Sequence, residues 1–156
     1  MLLNKLRRLL GMEKQILLSV LDTFPTWHSR YGEDTHFASK IKGILPPGKI
    51  HALKSGVIFW EDACRKLATG GYCARIVYLE DRPTGKVYYP ITKCKTLHTQ
   101  RARYAKASQK ILVEGKPVAV ETVAGNEGLA CNDFLEFLDK YDEREFVIVH
   151  FTGFRY

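Results

Sequence analysis

No apolar run in this chain approaches the roughly 20 residues of a membrane-spanning helix, so no transmembrane segment is expected. There is no Cys-x-x-Cys pair. The four cysteines, Cys64, Cys73, Cys94 and Cys131, fit no common zinc spacing. With 156 residues and 46% hydrophobic content the chain can bury a core without a disulfide framework. Reduced, buried thiols in a cytoplasmic protein are the expectation. The sequence also lacks a P-loop, Gly-x-Gly-x-x-Gly, His-Glu-x-x-His and Gly-x-Ser-x-Gly, which removes the common signatures of nucleotide hydrolysis, dinucleotide binding, zinc proteolysis and serine hydrolysis. Its five histidines are scattered. His28 and His36 lie close together, but two histidines need further ligands, so neither a metal site nor a cofactor is expected. No repeat, low-complexity tract or linker interrupts the chain, which reads as one domain.

What is present is a surplus of positive charge, and it is local. The chain carries 24 Lys+Arg against 17 Asp+Glu, a net charge of +7. From Arg82 to Val113 there are eight basic residues (Arg82, Lys86, Lys93, Lys95, Arg101, Arg103, Lys106 and Lys110) and no acid. From Glu121 to Glu145 the acids dominate. Tyr88, Tyr89, His98 and Tyr104 interleave with the basic stretch, a mixture that suits phosphates and stacked bases. The plainer reading of the same stretch is a solvated hairpin face.

Residues 1–11 differ from the rest. Their leucines, interrupted by Lys5, Arg7 and Arg8, suit a short amphipathic helix, read here as an appendage or the product of an upstream start codon. The domain is then 12–156. Gln15–Val20 reads as a buried strand, and a short helix capped by Asp34 or Thr35 runs to about Gly43. The Pro46-Pro47-Gly48 turn leads into an alternating strand, Lys49–Lys54. Phe59–Thr69 is a helix with Phe59, Ala63, Cys64 and Leu67 on one face, ended by Gly70-Gly71. Strands follow at Tyr72–Leu79 and Lys86–Thr92, the latter running on toward Leu97, and a second hairpin pairs Lys110–Val113 with Pro117–Thr122. A helix over Asn132–Lys140, capped by Asn132, precedes a last strand, Phe146–Phe151. The class is α+β: a small, mostly antiparallel barrel with two to three short helices.

Several strings carry a resemblance: Phe24-Pro25-x-x-His28-x-x-x-Gly32-x-x-Thr35-x-Phe37, Lys49-Ile50-His51, Asn126-x-Gly128-Leu129, and Ile148-Val149-His150-Phe151-Thr152-x-Phe154-Arg155-Tyr156. Together they resemble a family of small uncharacterised proteins common in Bacteroidetes and their prophages. That family is similar in turn to the ASCH domain, a PUA-like β-barrel associated with RNA and nucleotides. The likeness spans nearly all of 12–156. In ASCH enzymes that hydrolyse acetylated cytidine, the proposed catalytic set is a lysine, a threonine three residues on, and a distant glutamate.

Carried over, the resemblance puts Lys49 and Glu127 in the catalytic positions and Ala52 where the threonine belongs. Alanine has no hydroxyl to attack with or to donate a proton. Lys54 stands in place of an arginine and loses the bidentate fork. Binding of nucleic acid (RNA rather than DNA) or of a nucleotide, without threonine chemistry, is therefore the implied function. Lys49, Lys54 and Arg75 would line the groove, Glu127 would face them, and Arg82, Lys86, Lys93, Lys95, Arg101 and Arg103 would meet phosphates. Two alternatives stay open: an amidohydrolase on a modified nucleoside using Lys49, Glu127 and water, and a phage-linked interaction protein in defence or counter-defence. In isolation Trp60 reads as a core residue, and His150 as a hydrogen-bonded structural histidine.

Overall fold

Alternating β-branched and aromatic residues build eight strands in the computed structural model, which describes residues 2–10, 14–141 and 144–156. A three-stranded sheet has the order β1 (Lys14–Leu21), β3 (Tyr72–Arg82), β4 (Gly85–Cys94). A five-stranded sheet has the order β2 (His51–Lys54), β8 (Glu145–His150), β5 (His98–Ala105), β6 (Lys110–Val113), β7 (Lys116–Ala119). Only the β1–β3 pairing is parallel, among the described residues; a long excursion separates its strands, as a parallel pair requires. Helices α1 (Leu2–Leu9), α2 (Phe37–Ile41), α3 (Val57–Thr69), α4 (Val120–Asn126) and α5 (Cys131–Leu138) complete the fold. None is long and apolar enough to cross a membrane, among the described residues.

The α+β class and mostly antiparallel pairing stand. Among the described residues no ladder joins the two sheets into a closed barrel. Instead they share one apolar core. β1 gives it Ile16, Leu18 and Val20; β3 gives Ala74 and Ile76; α3 gives Trp60, Ala63 and Leu67; α5 gives Phe134 and Leu138. At its centre runs β8, flanked by β2 and β5, with Phe146, Val147, Ile148 and Val149 fully enclosed. Burial on both faces explains why this strand reads as an unbroken apolar run.

The structure departs from the sequence expectations at several points. A separate strand, β5, occupies 98–105, and the run after β7 turns helical at Val120 instead of extending to Thr122. Asn132 does not cap α5, whose N-cap is Ala130. On α3 the inward stripe includes Trp60, while Phe59 is largely exposed. The cysteines are free and half-buried instead of enclosed. Neither Asp34 nor Thr35 caps α2, whose N-cap is His36 in the left-handed region; the two side chains instead accept from the His36 N–H at 2.6 Å and the Phe37 N–H at 3.3 Å in the turn before the helix. The boundary expected between residues 11 and 12 lies outside the described residues, as do Asp142 and Glu143 of the acidic segment. In α1, Leu2, Leu3 and Leu6 are exposed.

Ile148 packs between the flanking strands with no solvent contact. Ile148→Ala is expected to lower stability by about 2–5 kcal/mol, read as a lower urea midpoint at unchanged m.

Candidate ligand pocket and its buried lysine–glutamate pair

Lys49 leaves the Pro46-Pro47-Gly48 turn with its backbone N–H donated to the Lys40 carbonyl at 3.2 Å. The next residue, Ile50, donates to the Asn126 carbonyl at 2.9 Å, which ties the start of β2 to the end of α4. Gly128 closes this turn with φ of +76°, and a Cβ there would stand 3.1 Å from the Lys49 Cβ. Only glycine permits both the left-handed backbone and that approach. The result sets Lys49 and Glu127 side by side inside the protein, although 78 residues separate them in sequence.

Lys49 Nζ donates to Glu127 Oε2 at 2.5 Å and to the Glu127 backbone carbonyl at 3.2 Å. It also lies 4.3 Å from the centre of the Phe37 ring. Both residues are buried. Burial pushes the Lys49 ammonium down, and the attraction of Glu127 opposes it. Burial likewise pulls the Glu127 carboxyl up, but Lys49 and His51 outweigh it and hold the group below the ordinary glutamate value. The carboxylate is therefore ionised at neutral pH.

A chain of hydrogen bonds runs outward from Glu127. His51 Nδ1–H donates to its Oε1 at 2.7 Å, leaving Nε2 to accept the Tyr156 O–H at 2.5 Å. Asn126 Nδ2 donates to the same phenol oxygen at 2.9 Å. Burial pushes the Tyr156 phenol up to about 12, so it stays a donor. Gln100 Oε1 accepts from the Tyr156 backbone N–H at 3.0 Å and from His150 Nε2–H at 2.9 Å. Among the described residues His150 Nδ1 has no hydrogen-bond partner. Burial first, then the nearby His51 and Arg155, push His150 down to about 3 and keep it neutral.

The pair forms part of the wall of a pocket of about 280 Å³. Trp27, Phe37, Phe134, Phe137 and Tyr141 give it aromatic sides. Ala52 lies in the wall and is 4% exposed, so the pocket has a methyl group where the expected threonine hydroxyl would be. Lys54 also lines it, its Nζ donating to the Ser19 carbonyl at 2.5 Å, and burial lowers this amine to about 8. Trp27 is 43% exposed, with Lys140 Nζ 3.6 Å from its ring centre.

Of the residues expected in the groove, Lys49, Lys54 and Glu127 meet here and Arg75 does not. Arg75 alternates with the buried Ala74 and Ile76, which places it on the outer face of the three-stranded sheet beside Leu17 and Lys93. The basic stretch is divided between two sheets: Arg82, Lys86 and Lys93 on β3 and β4, Arg101 and Arg103 on β5. Part of its charge is cancelled locally. Arg101 pairs with Glu61 at 2.7 Å and Glu145 at 3.4 Å, Arg82 with Glu80 at 3.2 Å, and Lys106 with Asp139 at 3.3 Å. Lys95 follows β4 and is exposed. Trp60 is in the core. His28 is buried: its Nε2–H donates to the Asp133 carbonyl and its Nδ1 accepts the Arg30 N–H, both at 3.0 Å. His36 is exposed beside Asp34. Sequence reasoning assigned no role to His51, Asn126, Tyr156, Trp27 or Lys140. No periodicity links them, and only the resemblance strings had drawn attention to the first three. No protein-family model, curated protein or solved structure matches this chain.

Removing one member of the pair strands the other. Glu127→Gln is expected to cost about 3–5 kcal/mol in denaturant unfolding, and Lys49→Met combined with Glu127→Leu to recover much of the loss. His150 supplies a pH signature. Its folded value near 3 lies below the usual histidine value of 6.5, so the unfolded chain binds more protons between those values. Stability is expected to fall as pH drops from about 6.5 toward 3, and His150→Gln to flatten that fall in thermal melts taken across the range.

Proposed function

We propose that the chain is an ASCH-like, PUA-like domain that binds a nucleotide or a nucleotide unit of RNA in the pocket beside Lys49 and Glu127. One observation carries the reading: a buried pair, Lys49 hydrogen-bonded to the ionised Glu127, set in the wall of a small aromatic-sided hollow. Such a hollow offers stacking surfaces for a planar ring. The pair and its neighbours offer donors and acceptors to a base edge in a site of low dielectric. Two sheets around one core, with helices packed on them, are compatible with an opened PUA-like barrel. Ala52 argues for binding without threonine chemistry.

A second reading, hydrolysis of an amide on a modified nucleoside, is favoured by the Tyr156–His51–Glu127 chain. In that reading the ionised Glu127 takes a proton from the attacking water and passes it to the leaving amine as the amide C–N bond breaks, while His51 and Tyr156 hold the carboxylate in place. Ala52→Thr is the variant that would bring the missing hydroxyl to the wall.

Ribonucleosides and ribonucleotides titrated against the full chain, read by tryptophan fluorescence, test the binding reading. At least one is expected to bind, with Trp27→Ala and Lys49→Met each weakening it tenfold or more. Absence of binding by all of them at millimolar concentration would reject it. Incubation with acetylated cytidine separates the second reading: turnover lost in Glu127→Gln supports hydrolysis, and no turnover removes it.

A further inference from the structure

The charge inside the pocket is unbalanced in a way that Lys49 and Glu127 do not use. Its lining holds three lysines, Lys49, Lys54 and Lys140, and one acid, Glu127. Lys49 and Glu127 cancel, so two positive charges remain over apolar and aromatic walls. Among the described residues, neither Lys54 nor Lys140 has a carboxylate within salt-bridge distance. The Lys54 ammonium has three N–H donors and gives one to the Ser19 carbonyl. Lys140 Nζ rests on the face of Trp27 at the exposed rim. Lys54 is half-buried, and a half-buried cation without an anion is an unfavourable arrangement, relieved when a ligand brings the missing charge; Lys140, exposed at the rim, adds a second positive charge.

The other hollow behaves differently. About 460 Å³ in volume, it sets Arg101 and Arg103 against Glu61, Glu114 and Glu145, so its acids outnumber its bases. The surplus at the Lys49 pocket is thus a local property and not an echo of the net charge.

We propose that Lys54 and Lys140 form a phosphate subsite, and that the pocket takes a base carrying a phosphate monoester: a nucleoside monophosphate or the phosphorylated end of a strand. This rests on the nucleotide-binding reading above and narrows it. A phosphate monoester carries about −1.5 to −2 at pH 7, which matches the two ammonium groups that have no salt-bridge partner among the described residues. A nucleoside brings no charge, and an internal phosphodiester brings only one. Size agrees. About 280 Å³ lies just under the roughly 300–1,000 Å³ range of small-molecule sites, a size for a single nucleotide unit and not for a longer ligand. The aromatic walls take the base, and the lysines take the phosphate.

The test is a set of titrations of the full chain with the four ribonucleoside 5′-monophosphates, their nucleosides, inorganic phosphate, and a short RNA with and without a 5′-phosphate. At least one monophosphate is expected to bind tenfold or more tightly than its nucleoside and than phosphate alone. Lys140→Ala and Lys54→Met are each expected to bring the ratio of monophosphate to nucleoside affinity down toward one. Lys140 is exposed, so its variant tests the subsite even if Lys54→Met does not fold. Equal affinity for a nucleoside and its monophosphate would overturn the subsite while leaving the pocket reading in place. Phosphate binding as tightly as the nucleotide would also overturn it. If neither nucleosides nor monophosphates bind, both readings fall. A 5′-phosphorylated RNA that outcompetes its unphosphorylated twin as strongly as the free monophosphate does identifies the strand end as the source; no such difference identifies the free nucleotide.

Discussion

The buried contact between Lys49 and Glu127 sets terms for everything around it. Two charges taken out of water are tolerated only where each remaining donor and acceptor has a partner. This requirement explains the surrounding detail. His51 occupies the second carboxylate oxygen, Tyr156 holds His51, Asn126 holds the Tyr156 hydroxyl, and Gln100 holds the Tyr156 backbone. Gly128 is the backbone's part in the arrangement, since its missing side chain lets the turn close over Lys49. The residues that satisfy the pair come from β2, β5, the end of α4 and the segment after β8. The same network therefore stitches the five-stranded sheet to the turn that covers it.

That arrangement makes the pocket stiff on one side and open on the other. Its inner wall is locked by ionic and hydrogen-bonded partners and has few low-energy alternatives. Its rim is made of Trp27, Phe137 and Lys140, held by ring contacts and a cation–π contact. Such contacts adapt more easily than a buried ion pair does. A ligand would meet fixed polar groups at depth and adjustable surfaces at the mouth, the usual division between selecting a ligand and admitting it.

The legible parts of the fold were those with an unmixed apolar signal. β1, β3 and β8 read clearly because Ile, Val, Leu and Ala fill their inward positions, and α3 read as a helix although its inward stripe is Trp60, Ala63 and Leu67. β5 did not, because its inward positions are Gln100, Ala102 and Tyr104 while Arg101 and Arg103 face out. In composition that is a basic loop; only its pairing with β8 makes it a strand. The start of α4 was masked by Val118, Ala119 and Val120, which continue the β7 pattern into the helix. The site was legible by resemblance and not by spacing. Nothing in the sequence alone joins residues 49 and 127, and the roles of His51, Asn126 and Tyr156 depend on contacts that form only in the folded chain. Charge was the least transferable signal, because residues 82–113 are contiguous in sequence but fold onto separate sheets.

One of those basic segments has a consequence unrelated to ligands. β4 is an outer strand of its sheet and runs for ten residues, long enough to template another strand. It carries exposed Lys86 and Lys93, and Pro90 has no N–H to offer. Like charges would face each other if two copies met along this border, and the ladder would break at the proline. Positive charge and proline on a margin of this kind oppose strand-to-strand pairing between copies, a use of charge that needs no ligand.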